Sequence, residues 1–108
     1  MPKTKPQLEK VTVKDCLHYL SFSTKGIFWR NNTGAIPTPR GGFIRFGEDG
    51  SGDIMGILGP NGRHIEIECK RVGGKQTENQ VARQKEVERM GGVYLLVYGV
   101  QDLIDHQL

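Results

Sequence analysis

Two apolar runs, 53–58 and 64–70, flank the tetrapeptide Gly59-Pro60-Asn61-Gly62. Gly, Asn and Pro are the residues a tight antiparallel connection needs, so the two runs are expected to fold back on each other as a hairpin. In the second run Ile65, Ile67 and Cys69 alternate with Glu66, Glu68 and Lys70. Successive strand side chains point to opposite faces, which gives this strand one apolar and one polar side. Whatever surrounds the hairpin must bury one side of it, and Glu68 and Lys70 must project together from the other.

The rest of the chain supplies elements to pack against it. Val13, Cys16, Leu17 and Leu20 follow the i, i+3, i+4, i+7 spacing of a helix with one buried face. Its start has two solutions. Thr4 with Gln7 forms one capping box, with Pro6 tolerated in the first turn, and Thr12 with Asp15 forms another. The earlier start is preferred, and it puts Glu9 on the stripe of Val13 and Leu17. Residues 26–30 read as a strand and 31–42 as a loop rich in Asn, Gly and Pro, while 43–46 is a candidate short strand. Thr77 and Gln80 form a capping box that opens a helix running to Met90, and Gly91 stops it. Residues 93–97 are a near-continuous apolar strand, expected to be central in its sheet. A short helix is expected over 101–108. The order is α-β-β-β-α-β-α, with a further short strand at 43–46 left open, and the chain reads as a single α/β domain over 1–108.

Charge is uneven. Residues 1–45 carry eight Lys and Arg against two acids, whereas 46–108 carry seven against ten. A basic half suits a polyanionic partner, although an ordinary solvated surface explains it equally. Cys16 and Cys69 both read as buried, and neither belongs to a CxxC pair, so a reduced intracellular protein is expected. The start MPKTKPQLEK lacks the apolar segment of a secretory signal, and the longest apolar run is far too short to cross a membrane. A chain this short leaves little surface for a large substrate, which makes self-association an expectation.

The chemistry-bearing group is Asp53, Glu68 and Lys70. A lone Glu-x-Lys on a strand is commonly a surface pair. Asp53 changes that, because it opens the preceding strand and the hairpin brings it beside Glu68. Two acids and a lysine then converge, as phosphodiester hydrolysis by Mg²⁺ or Mn²⁺ requires. These ions prefer oxygen ligands and keep several waters. Asp53, Glu68 and the main-chain carbonyl of Cys69 could supply the oxygens. Lys70 would orient the attacking water or offset charge on the phosphate. Gly50 and Gly52 would let a nucleic-acid backbone approach closely, a role that plain turn chemistry can accompany.

The segments G-S-G-D-I-M-G (50–56), I-E-I-E-C-K (65–70), G-K-Q-T-E-N-Q (74–80) and G-G-V-Y-L-L-V (91–97), together with G-I-F-W-R-N-N-T-G (26–34), resemble the VRR-NUC family. That family is the virus-type replication-repair nuclease branch of the PD-(D/E)XK superfamily. The resemblance runs from about Leu8 to Gly99. It implies a restriction-endonuclease-like core, a mixed central sheet flanked by helices. It implies Asp53, Glu68 and the Cys69 carbonyl as ligands of Mg²⁺ or Mn²⁺, and Lys70 as the catalytic lysine. It adds a glutamine on the second helix, matched by Gln80, and a glutamate on the first, matched by Glu9 with Asp15 as the alternative. Many members carry Pro before the first aspartate, where this chain has Gly52. Stand-alone phage and bacterial members are compact homodimers that cut branched DNA such as four-way (Holliday) junctions. The resemblance therefore implies a DNA-repair endonuclease of the cytoplasm of a bacterial or phage-infected cell.

Around this core, Arg30, Asn31, Asn32, Arg40, Arg45 and Lys75 are candidate nucleic-acid contacts, with turn formation the competing role for the asparagines. Trp29 is expected in the core. His64 is expected at the surface, and Glu66 in solvent near the hairpin, with a supporting place beside the acids as its alternative. The competing functions are a less selective nuclease on duplex or flap DNA, a non-catalytic DNA-binding module, and a scaffold protein whose acids are incidental.

Overall fold

Alternation along the second hairpin strand decides which helix lies on which side of the sheet. The computed structural model describes residues 8–108. Its elements are α1 (Glu9–Leu20), β1 (Gly26–Arg30), β2 (Gly34–Pro37), β3 (Phe43–Phe46), β4 (Ile54–Leu58), β5 (Arg63–Cys69), α2 (Glu78–Arg89), β6 (Val93–Val97) and α3 (Val100–Asp105). Four strands form a mixed sheet in the order β1-β4-β5-β6. β1 pairs antiparallel with β4 and β4 with β5, while β6 runs parallel to β5. The crossover from β5 to β6 is α2, as a parallel pair requires.

The odd-numbered side chains of β5 build the core. Ile65, Ile67 and Cys69 pack with Ile54, with Val97, with Val13, Cys16 and Leu20 of α1, and with Leu103 of α3. The even-numbered ones turn toward α2, where Gln80 and Arg83 meet Glu68 and Glu66. Both sides of β5 are thus covered, and 65–70 is buried throughout. Cys16 and Cys69 are both buried, free thiols. Among the described residues, no helix is long and apolar enough to cross a membrane.

Three expectations about the frame need correction. The segment 31–42 is not all loop. β2 lies within it and pairs with β3, Gly34 opposite Phe46 and Pro37 opposite Phe43. Pro37 is tolerated because it ends a strand of a two-stranded ribbon, and the Thr38–Gly42 bond closes the turn. The order is therefore α-β-β-β-β-β-α-β-α. Second, β6 is the last strand of the sheet order rather than a central one, and its apolar content is explained by packing against α2, α3 and β5. Third, Trp29 is 45% exposed. It shares with Ile27, Met55 and Ile57 the side of β1 and β4 that faces away from α1, and α2 packs over β6 instead. Of the two starts weighed for the first helix, the later is excluded, because Thr12 lies inside α1 with its hydroxyl on the Leu8 carbonyl. The Thr4–Gln7 box lies outside the described residues.

Candidate active site

Antiparallel register puts Ile54 opposite Ile67, so Asp53 stands across from Glu68 at the end of the hairpin. The Asp53 carboxylate accepts the Cys69 main-chain N–H at 2.8 Å, and the Asp53 carbonyl accepts the Asn31 N–H at 2.8 Å. The Asp53 and Glu68 carboxyls are close enough for each to shift the other's ionisation. Glu68 is 4% exposed and Lys70 is 8% exposed. The Lys70 Nζ stands 3.7 Å from Glu68 Oε1.

Gln80 reaches the same oxygen. Its Nε2 donates to Glu68 Oε1 at 2.9 Å, while its Oε1 accepts the Thr77 N–H at 2.9 Å. The capping box is complete, with the Gln80 N–H on the Thr77 hydroxyl. One side chain thus starts α2 and fixes the Glu68 carboxyl, so the structural and site roles coexist.

The electrostatics follow from burial. Loss of water pushes the Glu68 carboxyl up to about 8, and the neighbouring Asp53 charge adds to this against the pull of Lys70. Burial also raises Asp53, opposed by the Cys69 N–H and by its bond with Glu68. Two acids in one dry place cannot easily both ionise, so the pair retains a proton near neutral pH. Glu9, exposed in the first turn of α1, raises both carboxyls through its charge without bonding to either. The acids of the site are accordingly a pair with a third charge nearby. Among the described residues, no three His, Cys, Asp or Glu side chains form a metal-holding cluster.

The turn before Asp53 is packed against the chain itself. Gly50 has a positive φ of 76°, and a Cβ there would stand 2.2 Å from the Asn79 carbonyl oxygen. A Cβ on Gly52 would stand 2.8 Å from the main chain of Ile67. These glycines admit α2 and β5 to the turn. Tyr94 donates to the Gly50 carbonyl at 3.0 Å. Asn31 uses its amide nitrogen on Ser51 Oγ at 2.8 Å and on the Gly52 carbonyl at 2.9 Å, so it ties β1 to the turn.

Glu66 was expected in solvent and is 0% exposed. Arg83, four-fifths buried, clamps its carboxylate through Nε and Nη2, the latter at 2.7 Å. His64 Nε2 lies 2.6 Å away, and the Gly52 N–H donates at 3.0 Å. Burial alone would raise this carboxyl, but the bonds from Arg83, His64 and Gly52 hold it below the usual range. Its polar position on β5 looked solvent-facing because nothing local reveals that α2 lies across it. A signal was present: Gln80 and Arg83 stand three apart on one helix face, as Glu66 and Glu68 stand two apart on one strand face.

The other candidates are scattered. Arg30 ends β1 and lines a hollow of about 430 Å³ with Lys10, Val11, Lys14 and Leu17. Lys10 and Lys14 were not singled out from the sequence, although a spacing of four puts them on one face of α1. Asn32 and Lys75 are exposed in loops. Arg40 lies in the β2–β3 turn, and Arg45 on β3 faces Asp49 at 3.8 Å. Of these six, Asn31 is the one that meets the acidic pair, its N–H on the Asp53 carbonyl and its amide on the turn beside it. No protein-family model matches the chain, and no curated protein matches it.

Proposed function

We propose that the chain is a metal-dependent, structure-selective DNA endonuclease of VRR-NUC, PD-(D/E)XK type. The observation that carries this reading is the placement of Asp53 across the hairpin from Glu68, its carboxylate on the Cys69 N–H, with Lys70 at 3.7 Å and Gln80 at 2.9 Å from Glu68 Oε1. Two adjacent carboxyls that keep a proton only because they are buried together form a donor set a hard divalent cation can take over from that proton. With two side chains in the grip, the Cys69 carbonyl, water and phosphate would complete the coordination of Mg²⁺ or Mn²⁺, and Glu9 would act by its field. When bound, the ion supplies Lewis acidity toward phosphate and a more acidic water. Asp53 and Glu68 would hold the ion, and Gln80 fixes the Glu68 carboxyl. Lys70, 8% exposed, would place a positive charge where the phosphate gains negative charge.

The hollow between Arg30, Lys10 and Lys14 offers three cations without an ion pair among the described residues, and it suits a phosphate backbone leading away from Asp53. Ile36, Phe43 and Ile44 are exposed on the β2–β3 ribbon, and Phe43 is 70% exposed. An apolar ribbon of this kind supports assembly as a homodimer, whose two sites would match the symmetry of a four-way junction. The two buried free thiols favour a reducing compartment, the cytoplasm of a bacterial or phage-infected cell.

Cleavage with Mg²⁺ or Mn²⁺ on a four-way junction, a linear duplex, a flap and a single strand tests the reading, with light scattering on the same preparation for the dimer mass. Preferential cutting of the junction is expected. Equal cutting of duplex would leave a nuclease without structural selectivity. Binding without cutting in either metal would reduce the chain to a DNA-binding module.

A further inference from the structure

We infer that Glu66 is a positioning residue for Asp53: its buried carboxylate, through the Gly52 N–H, holds the turn that aims Asp53 at Glu68. Gly52 immediately precedes Asp53, and it has no side chain with which to pack. It lies so close to Ile67 that a Cβ would meet the main chain at 2.8 Å. Two side chains from elsewhere therefore hold it. Glu66 Oε1 accepts its N–H at 3.0 Å, and Asn31 Nδ2 donates to its carbonyl at 2.9 Å. Glu66 is itself immobilised by Arg83 and His64. A rigid path thus runs from α2 through Arg83, Glu66 and Gly52 to Asp53. A second runs from α2 through Gln80 to Glu68. The same helix sets both members of the acidic pair, from two positions three residues apart.

The consequence for cleavage rests on the nuclease reading, but the clamp on Asp53 does not, so the test has an arm for each. Glu66→Asp keeps the charge that pairs with Arg83 and loses the reach to Gly52. Glu66→Gln keeps the reach and loses the charge. A positioning role and a simple ion-pair role therefore predict opposite rankings. The metal-free readout is hydrogen exchange at the Gly52 amide and at the Cys69 amide, which donates to Asp53. Glu66→Asp should lose about tenfold or more of the protection at both amides, and Glu66→Gln should stay within about threefold of the parent. In the cleavage arm, kcat of Glu66→Asp should fall about ten- to a hundredfold, with KM for DNA within about twofold, because a misplacement on the order of 1 Å is enough.

Protection kept in Glu66→Asp, or lost in Glu66→Gln, overturns the proposal. Should Glu66→Asp fail to fold, Glu66→Gln decides alone, since the proposal requires parent-like protection there. A parent chain that cuts no DNA would sink the nuclease reading, while the exchange arm would still decide the role of Glu66.

Discussion

Lys70→Ala is expected to fold and bind DNA as the parent does while its cleavage rate falls about a hundredfold or more, the usual cost of removing one preorganised positive partner of a transition state. The main chain at this position is held by the Lys70 N–H on the Val97 carbonyl at 2.9 Å, which the substitution leaves in place. The side chain is almost wholly buried, yet its nearest counter-charge is Glu68 Oε1 at 3.7 Å. A lysine whose purpose was an ion pair would be expected closer, as Arg83 is to Glu66. Single-turnover cleavage with saturating metal, beside a DNA-binding titration in Ca²⁺, separates the two effects. Near-full turnover in the variant would remove Lys70 from the mechanism.

Glu68→Gln should move stability and activity in opposite directions. In the folded protein Glu68 holds its proton up to about 8, against 4.5 for an ordinary glutamate. The folded state therefore binds a proton that the unfolded chain has released, and the associated stability is complete below about 4.5 and lost as pH climbs through about 8. An amide in the same place never ionises. The variant should therefore lack this decline and, without metal, exceed the parent by a few kcal/mol in alkaline buffer. Its cleavage should fall about a thousandfold or more, because one of two side-chain ligands has lost its charge. Thermal melts between about pH 5 and pH 9 measure the first effect. Parallel pH–stability curves for parent and variant would mean that Glu68 is not held protonated.

These outcomes depend on features that differ in how visible they were in the sequence. The pairing of Asp53 with Glu68 was legible because it is set locally: Gly59-Pro60-Asn61-Gly62 closes a hairpin, and alternation does the rest. The Thr77–Gln80 box was legible for the same reason, since all its bonds span three residues. The reach of Gln80 to Glu68 came only from the resemblance, because it depends on where α2 crosses the sheet. That crossing is also what the pattern hid at Glu66. A charged residue on the polar side of a strand reads as solvated until Arg83, seventeen positions on, is laid over it. Gly50 and Gly52 were recognisable as a turn, whereas the close approach of Asn79 and Ile67 that they permit is a long-range fact of packing. β2 was hidden by the Gly and Pro of its own segment, because a two-stranded ribbon tolerates them where a central strand would not. Trp29 stays at the surface because the sheet is wider than the helix that would have covered it.

The account stands on one shared ion, and anomalous diffraction from crystals grown with Mn²⁺ tests it most directly. The expected result is a single strong peak at a coordination distance of about 2.1 Å from carboxylate oxygens of both Asp53 and Glu68. Full occupancy elsewhere on the chain, with no ion between these two carboxyls, would contradict it.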